Sequence, residues 1–294
     1  MNKPFLLKSS KIFCLLICFV FFFVDVTVNA AVVVPSEEKC AANSVYSPFA
    51  LEFAPDALLL GAGTAFAITG HVRTRSKSFD EWYEKSYDKN DINGFDRLWY
   101  NPYSSSLDTI GTITCAVNLA VLPIGVFAFE SAMGNFYSRE WFTVGTMLVE
   151  SWLFTYGIKN MIKTTVQRTR PYMYTDTVDK HSLDNHDYTF SFPSGHSSDA
   201  FMGAAFLSYV FCQYYPDSKY KIPVIATSYA FALGTGLLRV ASGNHFMTDV
   251  AGGAVLGTVI GFGIPFIHHR LALNKYGRNS FSVSPNGFSA KFYF

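Results

Sequence analysis

The sequence predicts an all-α fold, a membrane-embedded bundle of about five to six helices with its functional residues at helix ends on one membrane face. Half of the residues are hydrophobic and 17% are aromatic. Charged residues make up 15%, whereas soluble domains carry about 25%. Several apolar stretches also approach the ~20 residues that a membrane-spanning helix needs. The net charge of +1 offers no basic surface, so the membrane is an expected partner and nucleic acid is not.

Residues 1–30 have the pattern of a secretory signal peptide. Lysines precede an apolar run, and small residues at its end fit cleavage before Ala31. An uncleaved signal anchor is the alternative, because apolar residues continue beyond the cleavage position. Either segment would export a polar lead-in, residues 31–107, which contains one short apolar helix at 57–69. Because that helix is too short to span, we expect the functional helix ends of this multi-pass bacterial-type membrane protein to face the periplasm or exterior.

The helical core is predicted over residues 108–270. Five longer apolar stretches are its candidate helices: Thr109–Phe129, Trp141–Ile158, Ser197–Tyr215, Ile222–Leu238 and Val250–Ile267. Pro123 is expected to kink the first of these, since proline interrupts helical hydrogen bonding. The last contains glycines at four-residue spacing, from Gly253 to Gly261, which predicts close packing against another helix. The tail, residues 271–294, has the pattern of a small β-hairpin.

Glu150 lies near the middle of the second candidate helix, where a carboxylate is unfavourable in a bilayer. Such a residue is a functional candidate by default. We expect it instead to form a structural hydrogen bond with a neighbouring helix, and a functional role is the alternative.

Three polar blocks interrupt the apolar core, and the first of them is rich in cations. Its Lys163 and Arg170 are about two helical turns apart, so a helix that continues to Arg170 puts both on one face. Together they suit a multiply charged anion, for which arginine offers a planar fork of donors. The alternative for Arg168 and Arg170 is a positively charged helix flank at the membrane surface.

The second block is Pro-Ser-Gly-His at 193–196, directly before an apolar stretch. A helix that starts at Ser194 and Gly195 aims free backbone N–H groups at the same anion. Gly195 lets the backbone approach closely because it has no side chain. His196 has no acidic residue in its own block, and it is therefore able to protonate a departing oxygen.

The third block combines Arg239, a third cation, with His245 and Asp249. The histidine and the carboxylate are four positions apart and share one helical face. Asp249 is then placed to accept a hydrogen bond from one ring nitrogen of His245, which leaves the other nitrogen nucleophilic. Three cations and a helix N-terminus neutralise transition-state charge without a metal ion, so we expect neither a metal nor another cofactor.

The three blocks K-x6-R-P, P-S-G-H and R-x5-H-x3-D, in this order, resemble the signature of the type 2 phosphatidic acid phosphatases. Bacterial class A acid phosphatases and vanadium haloperoxidases share that signature. The resemblance covers roughly residues 140–265. One departure is Leu238, where the family usually has a serine, and it affects an accessory hydrogen bond but no proton transfer.

The resemblance implies a role for each of these polar residues. His245 is implied as the nucleophile that forms a phosphohistidine, Asp249 as its orienting carboxylate and His196 as the acid. The phosphate binders that the resemblance implies are Lys163, Arg170, Ser194, Gly195 and Arg239.

The resemblance and the long apolar stretches together imply a membrane lipid phosphatase. Its substrate would be a phosphomonoester or diphosphate of a lipid, and phosphatidic acid, phosphatidylglycerophosphate, undecaprenyl diphosphate and lipid A phosphate all remain open. An exported acid phosphatase that acts on soluble phosphoesters is one alternative. A vanadate-dependent haloperoxidase and a non-catalytic protein that binds lipid head groups are the others.

Overall fold

The computed structural model describes residues 47–76, 87–175 and 187–275 and the backbone of a C-terminal hairpin, and the predicted signal peptide lies outside these residues. Seven α-helices occur in the described residues: α1 (Phe53–Arg75), α2 (Ser105–Ala116), α3 (Leu122–Ala132), α4 (Ser138–Val166), α5 (Gly195–Tyr214), α6 (Lys221–Ala241) and α7 (Met247–Lys275). A π turn, Val117–Val121, joins α2 to α3, so the helices form six rods. Among the described residues, α1, the α2–α3 rod, α6 and α7 are long and apolar enough to cross a membrane. The predicted all-α, membrane-embedded bundle is confirmed.

The C-terminal hairpin belongs to the second of two units into which the chain divides, and the first, Pro48–Ala272, contains the bundle. The strands β1 (Ser280–Ser284) and β2 (Gly287–Lys291) pair antiparallel, with Ser284 opposite Gly287. Both strands lie within the tail for which the sequence predicts a hairpin.

The central helix is α5, most of whose side chains are buried, and it packs against α2, α4, α6 and α7. The α2–α3 rod meets it at the π turn that precedes Pro123, in place of a simple proline kink. Asn118 in this turn is fully buried, and its side-chain N–H donates to the carbonyl oxygen of Ala200, 2.6 Å away. Pro123 follows in the first turn of α3, directly after this π turn.

The glycines of α7 pack against the backbone of α5, as their spacing predicts. A Cβ on Gly253, Gly257 or Gly261 would lie 2.6, 2.1 or 2.3 Å from a carbonyl oxygen of α5 or of its N-cap residue. The two helices therefore approach more closely than a side chain at these positions allows. This contact brings the second and third polar blocks, at the N-terminal ends of α5 and α7, next to one another.

We expect Gly257→Ala to destabilise the bundle by about 1–3 kcal/mol, because the new methyl group overlaps the carbonyl oxygen of Ser198. Thermal unfolding of the purified protein in detergent measures this change. Gly263→Ala is the matched control in the same helix, since a Cβ there meets no atom of the described residues within 4 Å. Equal unfolding temperatures for the two variants would contradict the importance of this contact.

The first helix corrects the prediction of a short apolar helix at 57–69. α1 has 23 residues, Phe53–Arg75, and its length and composition suffice to cross a bilayer. The helix continues past the apolar stretch because it packs along α4, where Gly157 admits the backbone of α1 at Phe66. A hydropathy pattern detects only the apolar residues, and it misses the residues at both ends that are helical because they pack along α4.

α1 and α4 end at the same membrane face, because Arg73 near the end of α1 donates to Oγ1 of Thr165 near the end of α4. Residues 47–52 therefore lie at the opposite face from the helix ends that carry the polar blocks. The predicted exterior position of those blocks depended on a first helix that is too short to span the membrane. Because α1 is long enough to cross, its length no longer supports an exterior position. Export of residues 47–52, whether by a cleaved signal peptide or by a signal anchor, and an exterior site exclude each other when α1 crosses once between them.

Candidate active site

The structure brings all eight predicted site residues to one end of the bundle. Six lie at helix ends: Lys163 in the last turn of α4, Ser194, Gly195 and His196 at the start of α5, Arg239 at the end of α6 and Asp249 in the first turn of α7. Arg170 and His245 lie in the short segments next to those ends. The predicted location of the site, at helix ends on one membrane face, is confirmed.

Arg170 does not lie on α4, and the prediction that this helix continues to it is wrong. The helix ends at Val166, and Gln167 has a left-handed backbone conformation (φ 47°) that turns the chain away from the helix axis. Arg170 precedes Pro171 in an extended conformation, as a residue before proline prefers. This turn, rather than helical spacing, brings the guanidinium to the site.

The side chain of Arg170 is buried and reaches the third polar block. Its guanidinium donates to Oδ1 of Asn244, 2.7 Å away, and pairs with the carboxylate of Asp187. Burial alone raises the pKa of Asp187, but the charges of Arg170 and Lys163 outweigh it and hold that pKa below its usual value. Two predicted phosphate binders therefore act together on one anionic group, as a phosphate site requires.

The start of α2 contributes residues to the site that no sequence pattern singles out. Arg239 is buried, and its guanidinium pairs with Asp108 in the first turn of α2. Nε2 of His196 lies 3.1 Å from Oγ1 of Thr112, one turn further along α2. Thr112 and its neighbour Ile113 are exposed on the outer surface of the bundle. His196 therefore lies next to an exposed part of α2.

The N-terminus of α5 is capped and faces two lysines. The hydroxyl of Ser194 accepts a hydrogen bond from a backbone N–H in the first turn, as the side chain of a helix N-cap does. A Cβ on Gly195 would lie 3.6 Å from Nζ of Lys163 and 3.8 Å from Nζ of Lys159. Lys159, which the signature does not include, pairs with Asp199 over 2.5 Å and adds another cation at this helix end.

His245 is almost fully buried, just before α7. Its Nδ1 lies 2.7 Å from the carbonyl oxygen of Ser191, so the ring donates from Nδ1 and the lone pair of Nε2 stays free. Burial and the charges of nearby cations hold the pKa of His245 well below its usual value. Those cations are Arg170, Arg239 and Lys163. The imidazole is therefore neutral at physiological pH, which is the form that acts as a nucleophile.

Asp249 does not contact the ring of His245, and the predicted direct hydrogen bond between them is wrong. Its carboxylate lies 3.8 Å from Nδ1, because His245 precedes α7, which begins at Met247, and helical spacing does not apply. The carboxylate instead accepts hydrogen bonds from the hydroxyl of Ser191 at 2.5 Å and from the backbone N–H of Phe246 at 2.8 Å. Asp249 thus holds the residue whose carbonyl oxygen orients His245.

Arg168 links the site to the segment before α2, and the alternative of a helix flank is wrong for it. Its Nη1 donates to Asp249 at 2.5 Å and its Nη2 to Asp96 at 2.6 Å, and both carboxylates are fully buried. The guanidinium also lies over the ring of Phe246, 4.3 Å from the ring centre. Burial alone raises the pKa of Asp96, but hydrogen bonds from Thr248 and Arg168 hold it below its usual value. Arg168 therefore pairs with two buried carboxylates at once.

The two histidines share the same positive surroundings. Lys163 and Arg239 act electrostatically on both His245 and His196. A phosphate group held by these cations would meet a neutral, nucleophilic ring and a second imidazole. This arrangement suits phosphoryl transfer, in which positioning and charge stabilisation supply most of the catalysis.

Fold and site together define a multi-pass membrane protein with a buried anion site that contains two histidines. A family model described as the PAP2 superfamily matches residues 145–272. The chain is 30% identical to phosphatidylglycerophosphatase B of Bacillus subtilis (strain 168) over 169 residues, which are 56% of this chain and 73% of that relative. A crystal structure described as a transmembrane PAP2-type phosphatidylglycerolphosphate phosphatase from Bacillus subtilis matches with a TM-score of 0.44 and 21% identity, over 74% of this chain and 96% of that one. This chain belongs to the PAP2 superfamily.

Proposed function

We propose that this protein is a metal-independent membrane phosphatase that removes phosphate from a lipid phosphomonoester or diphosphate through a phosphohistidine. The observation that carries this function is the state of His245, a buried, neutral imidazole whose Nδ1 is held by Ser191 and whose Nε2 is free among cations. The Bacillus subtilis relative, named phosphatidylglycerophosphatase B, supports a lipid phosphate as the substrate. Phosphatidylglycerophosphate is therefore our first candidate.

The reaction takes two steps, in which His245 carries the phosphoryl group and His196 moves the proton. First, Nε2 of His245 attacks phosphorus, and the bond from phosphorus to the leaving oxygen breaks. Burial and nearby cations hold the pKa of His196 low, but the negative charge of the bound phosphate offsets them, so His196 takes up a proton with the substrate and gives it to that oxygen. The lipid leaves as an alcohol, or as a monophosphate when the substrate is a diphosphate. A water molecule then gives a proton to His196 and attacks the phosphohistidine, and the nitrogen–phosphorus bond breaks to release phosphate.

Cations and the N-terminus of α5 hold the phosphoryl oxygens in both steps. Arg170 and Arg239 offer planar forks of donors, and Lys163 offers a compact positive charge. Backbone N–H groups at Ser194 and Gly195 add the partial positive charge of a helix start. These groups are fixed by burial, so negative charge that grows in the transition state is stabilised without reorganisation.

The position of His196 supports a lipid as the leaving group. His196 contacts the exposed Thr112 on α2. Both α2 and α6, which hold Thr112 and Arg239, carry large exposed apolar side chains, among them Ile110, Ile113 and Leu237. A leaving oxygen that takes its proton here keeps its apolar chain in the bilayer, while the phosphate stays in the buried site.

Phosphate release from a panel of lipid phosphates, by detergent-purified protein in the presence of a chelator, tests this function. We expect release from at least one lipid at a rate that the chelator does not reduce. Release from soluble phosphoesters alone would favour the exported acid phosphatase. Release from no substrate would favour the non-catalytic head-group binder, and release that the chelator abolishes while the protein stays folded would contradict a metal-independent reaction.

We also propose that the site opens to the exterior. The family resemblance supports this position, whereas the length of α1 does not. Gly94→Cys, on the exposed segment before α2, and Asp217→Cys, in the turn after α5, report opposite membrane faces. In intact cells, with Cys40 removed, a membrane-impermeant thiol reagent should label the first and not the second. Labelling of Asp217→Cys alone would put the site in the cytoplasm and would agree with export of residues 47–52 by either a cleaved signal peptide or a signal anchor.

A further inference from the structure

Away from the candidate active site, three ionisable side chains from three helices meet inside the bundle. Asp56 lies in the first turn of α1, Glu150 in the middle of α4 and His268 in the last third of α7. One candidate ligand atom from each lies within 4.8 Å of those of the other two. About 20 Å of helix separates Glu150 from Lys163 at ~1.5 Å per residue, so this cluster takes no part in the phosphoryl chemistry proposed above.

The predicted hydrogen bond of Glu150 to a neighbouring helix is present, but it leaves the cluster incomplete. Glu150 and His268 are fully buried, and the side chain of Asp56 is 14% exposed. Nδ1 of His268 lies 3.1 Å from the carbonyl oxygen of Ala50, which makes Nδ1 a donor. Nε2 then faces Oε2 of Glu150 at 2.7 Å. Two lone pairs cannot face each other at that distance, so either a proton lies between them or a metal ion binds both atoms, which then move apart to fit its bonds.

A proton on Nε2 leaves two carboxylate oxygens without a hydrogen bond. Oε1 of Glu150 and Oδ1 of Asp56 are buried and accept no hydrogen bond from any residue in the described part of the chain, and Oδ1 of Asp56 lies 3.6 Å from Nδ1 of His268. With a protonated imidazole and two carboxylates, the cluster also keeps a net negative charge in a low-dielectric interior, which is unfavourable. A divalent cation balances two carboxylates beside a neutral imidazole and gives both of those oxygens a partner.

We propose that Asp56, Glu150 and His268 bind a divalent transition-metal ion of the zinc type. One imidazole nitrogen and two carboxylate oxygens form a donor set that zinc accepts, at bond lengths of about 2.0–2.2 Å. The carbonyl oxygen of Ala50 fixes the ring and its tautomer, as hydrogen-bond partners of metal-bound histidines commonly do. The ion joins α1 and α7 to α4, which is a structural role in the half of the bundle away from the phosphate site.

Zinc binding by the full-length protein tests this site without reference to activity. The detergent-purified protein is stripped with a chelator, desalted and titrated with Zn²⁺ against a chromogenic zinc indicator, and elemental analysis counts the bound ions. We expect about one ion per chain, because the three ligands form one site. Glu150→Gln and Asp56→Asn keep the shape of each side chain, and each should weaken binding more than about 100-fold, since even an outer-shell partner contributes 10–100-fold. His268→Ala should abolish it, and Zn²⁺ should raise the unfolding temperature of the wild type but not of these three variants.

Two histidine variants serve as controls for this site. His71 is exposed on α1, where Nδ1 lies 3.2 Å from the hydroxyl of Tyr156, so His71→Ala should bind zinc as the wild type does. His245→Ala should also bind zinc, which separates this site from the histidines of the phosphate site. Where His268→Ala fails to fold, the two carboxylate variants decide the question. Zinc binding that is absent from the wild type, or unchanged in Glu150→Gln and Asp56→Asn, would overturn the metal site and leave a cluster that shares a proton.

Discussion

His245→Ala is expected to abolish phosphate release from the preferred lipid, with kcat falling by at least about 10⁴-fold. The substitution removes the atom that attacks phosphorus, while the cations and the N-terminus of α5 still bind the substrate. KM should therefore change much less than kcat. Initial rates measure both constants, and rapid quenching of the wild type should trap an acid-labile phosphoryl group on His245. Peptide mapping of that group identifies the residue that carries it.

His196→Ala is expected to lower kcat for a lipid alcohol ester by about 10²–10⁴-fold, the usual contribution of a general acid. A nitrophenyl phosphate ester needs no proton for its leaving group to depart. The first step should therefore recover on that substrate in His196→Ala, but not in His245→Ala. Phosphohistidine should then accumulate in His196→Ala, because the attacking water lacks its base.

His71→Ala is the matched control for both substitutions, since this histidine is exposed on α1 and lies outside the signature. It should keep the wild-type rate. Full activity in His245→Ala or His196→Ala would contradict the role given to that residue. Recovery of both variants on the nitrophenyl ester would contradict His245 as the nucleophile, and a phosphoryl group on another residue would do the same.

The polar blocks could be predicted from the sequence because charged residues are rare in a chain this apolar. Lys163, Arg170 and Arg239 stand out against their neighbours, and apolar flanks indicate that they lie at helix ends. Helical spacing gave wrong predictions of which residues share a helix face where a helix began or ended a few residues from the expected position. α4 stops before Arg170, and α7 starts after His245, so helical spacing describes the surroundings of neither residue.

Partners that are distant in the chain could not be predicted from one sequence. Asp96 is 72 positions from Arg168 and 152 from Thr248, and only folding brings the three together. Asp108 reaches Arg239 across 131 positions in the same way. Each pair contains a charged residue that would be unfavourable in the bundle without its partner. A charged residue near an apolar stretch is therefore the one sign in the sequence that such a partner exists. This sign identified Glu150, whose partner is on α7.

The orientation of the nucleophile depends on a chain of contacts, and Asp249→Asn is expected to break it. The carboxylate of Asp249 holds the hydroxyl of Ser191, and the carbonyl oxygen of Ser191 holds Nδ1 of His245. Asparagine keeps the shape of the side chain but loses the charge that pairs with Arg168. We expect kcat to fall by roughly 10²–10⁴-fold, with KM and the unfolding temperature little changed, because the ring is no longer held in one orientation. Steady-state rates and thermal unfolding measure these quantities.

Ser191→Ala separates a positioning role of Asp249 through Ser191 from a direct effect of its charge on His245. The alanine keeps the carbonyl oxygen that His245 contacts and removes the hydroxyl that Asp249 binds. If Asp249 acts through Ser191, kcat should fall by about tenfold or more, since small displacements of a reacting group are enough for such a loss. The double variant should then be no slower than Asp249→Asn, because both substitutions break the same chain of contacts. Ser151→Ala, at a buried serine of α4, is the control for loss of a buried hydroxyl. A wild-type rate in Ser191→Ala, or additive losses in the double variant, would mean that the carboxylate acts on His245 by its charge alone.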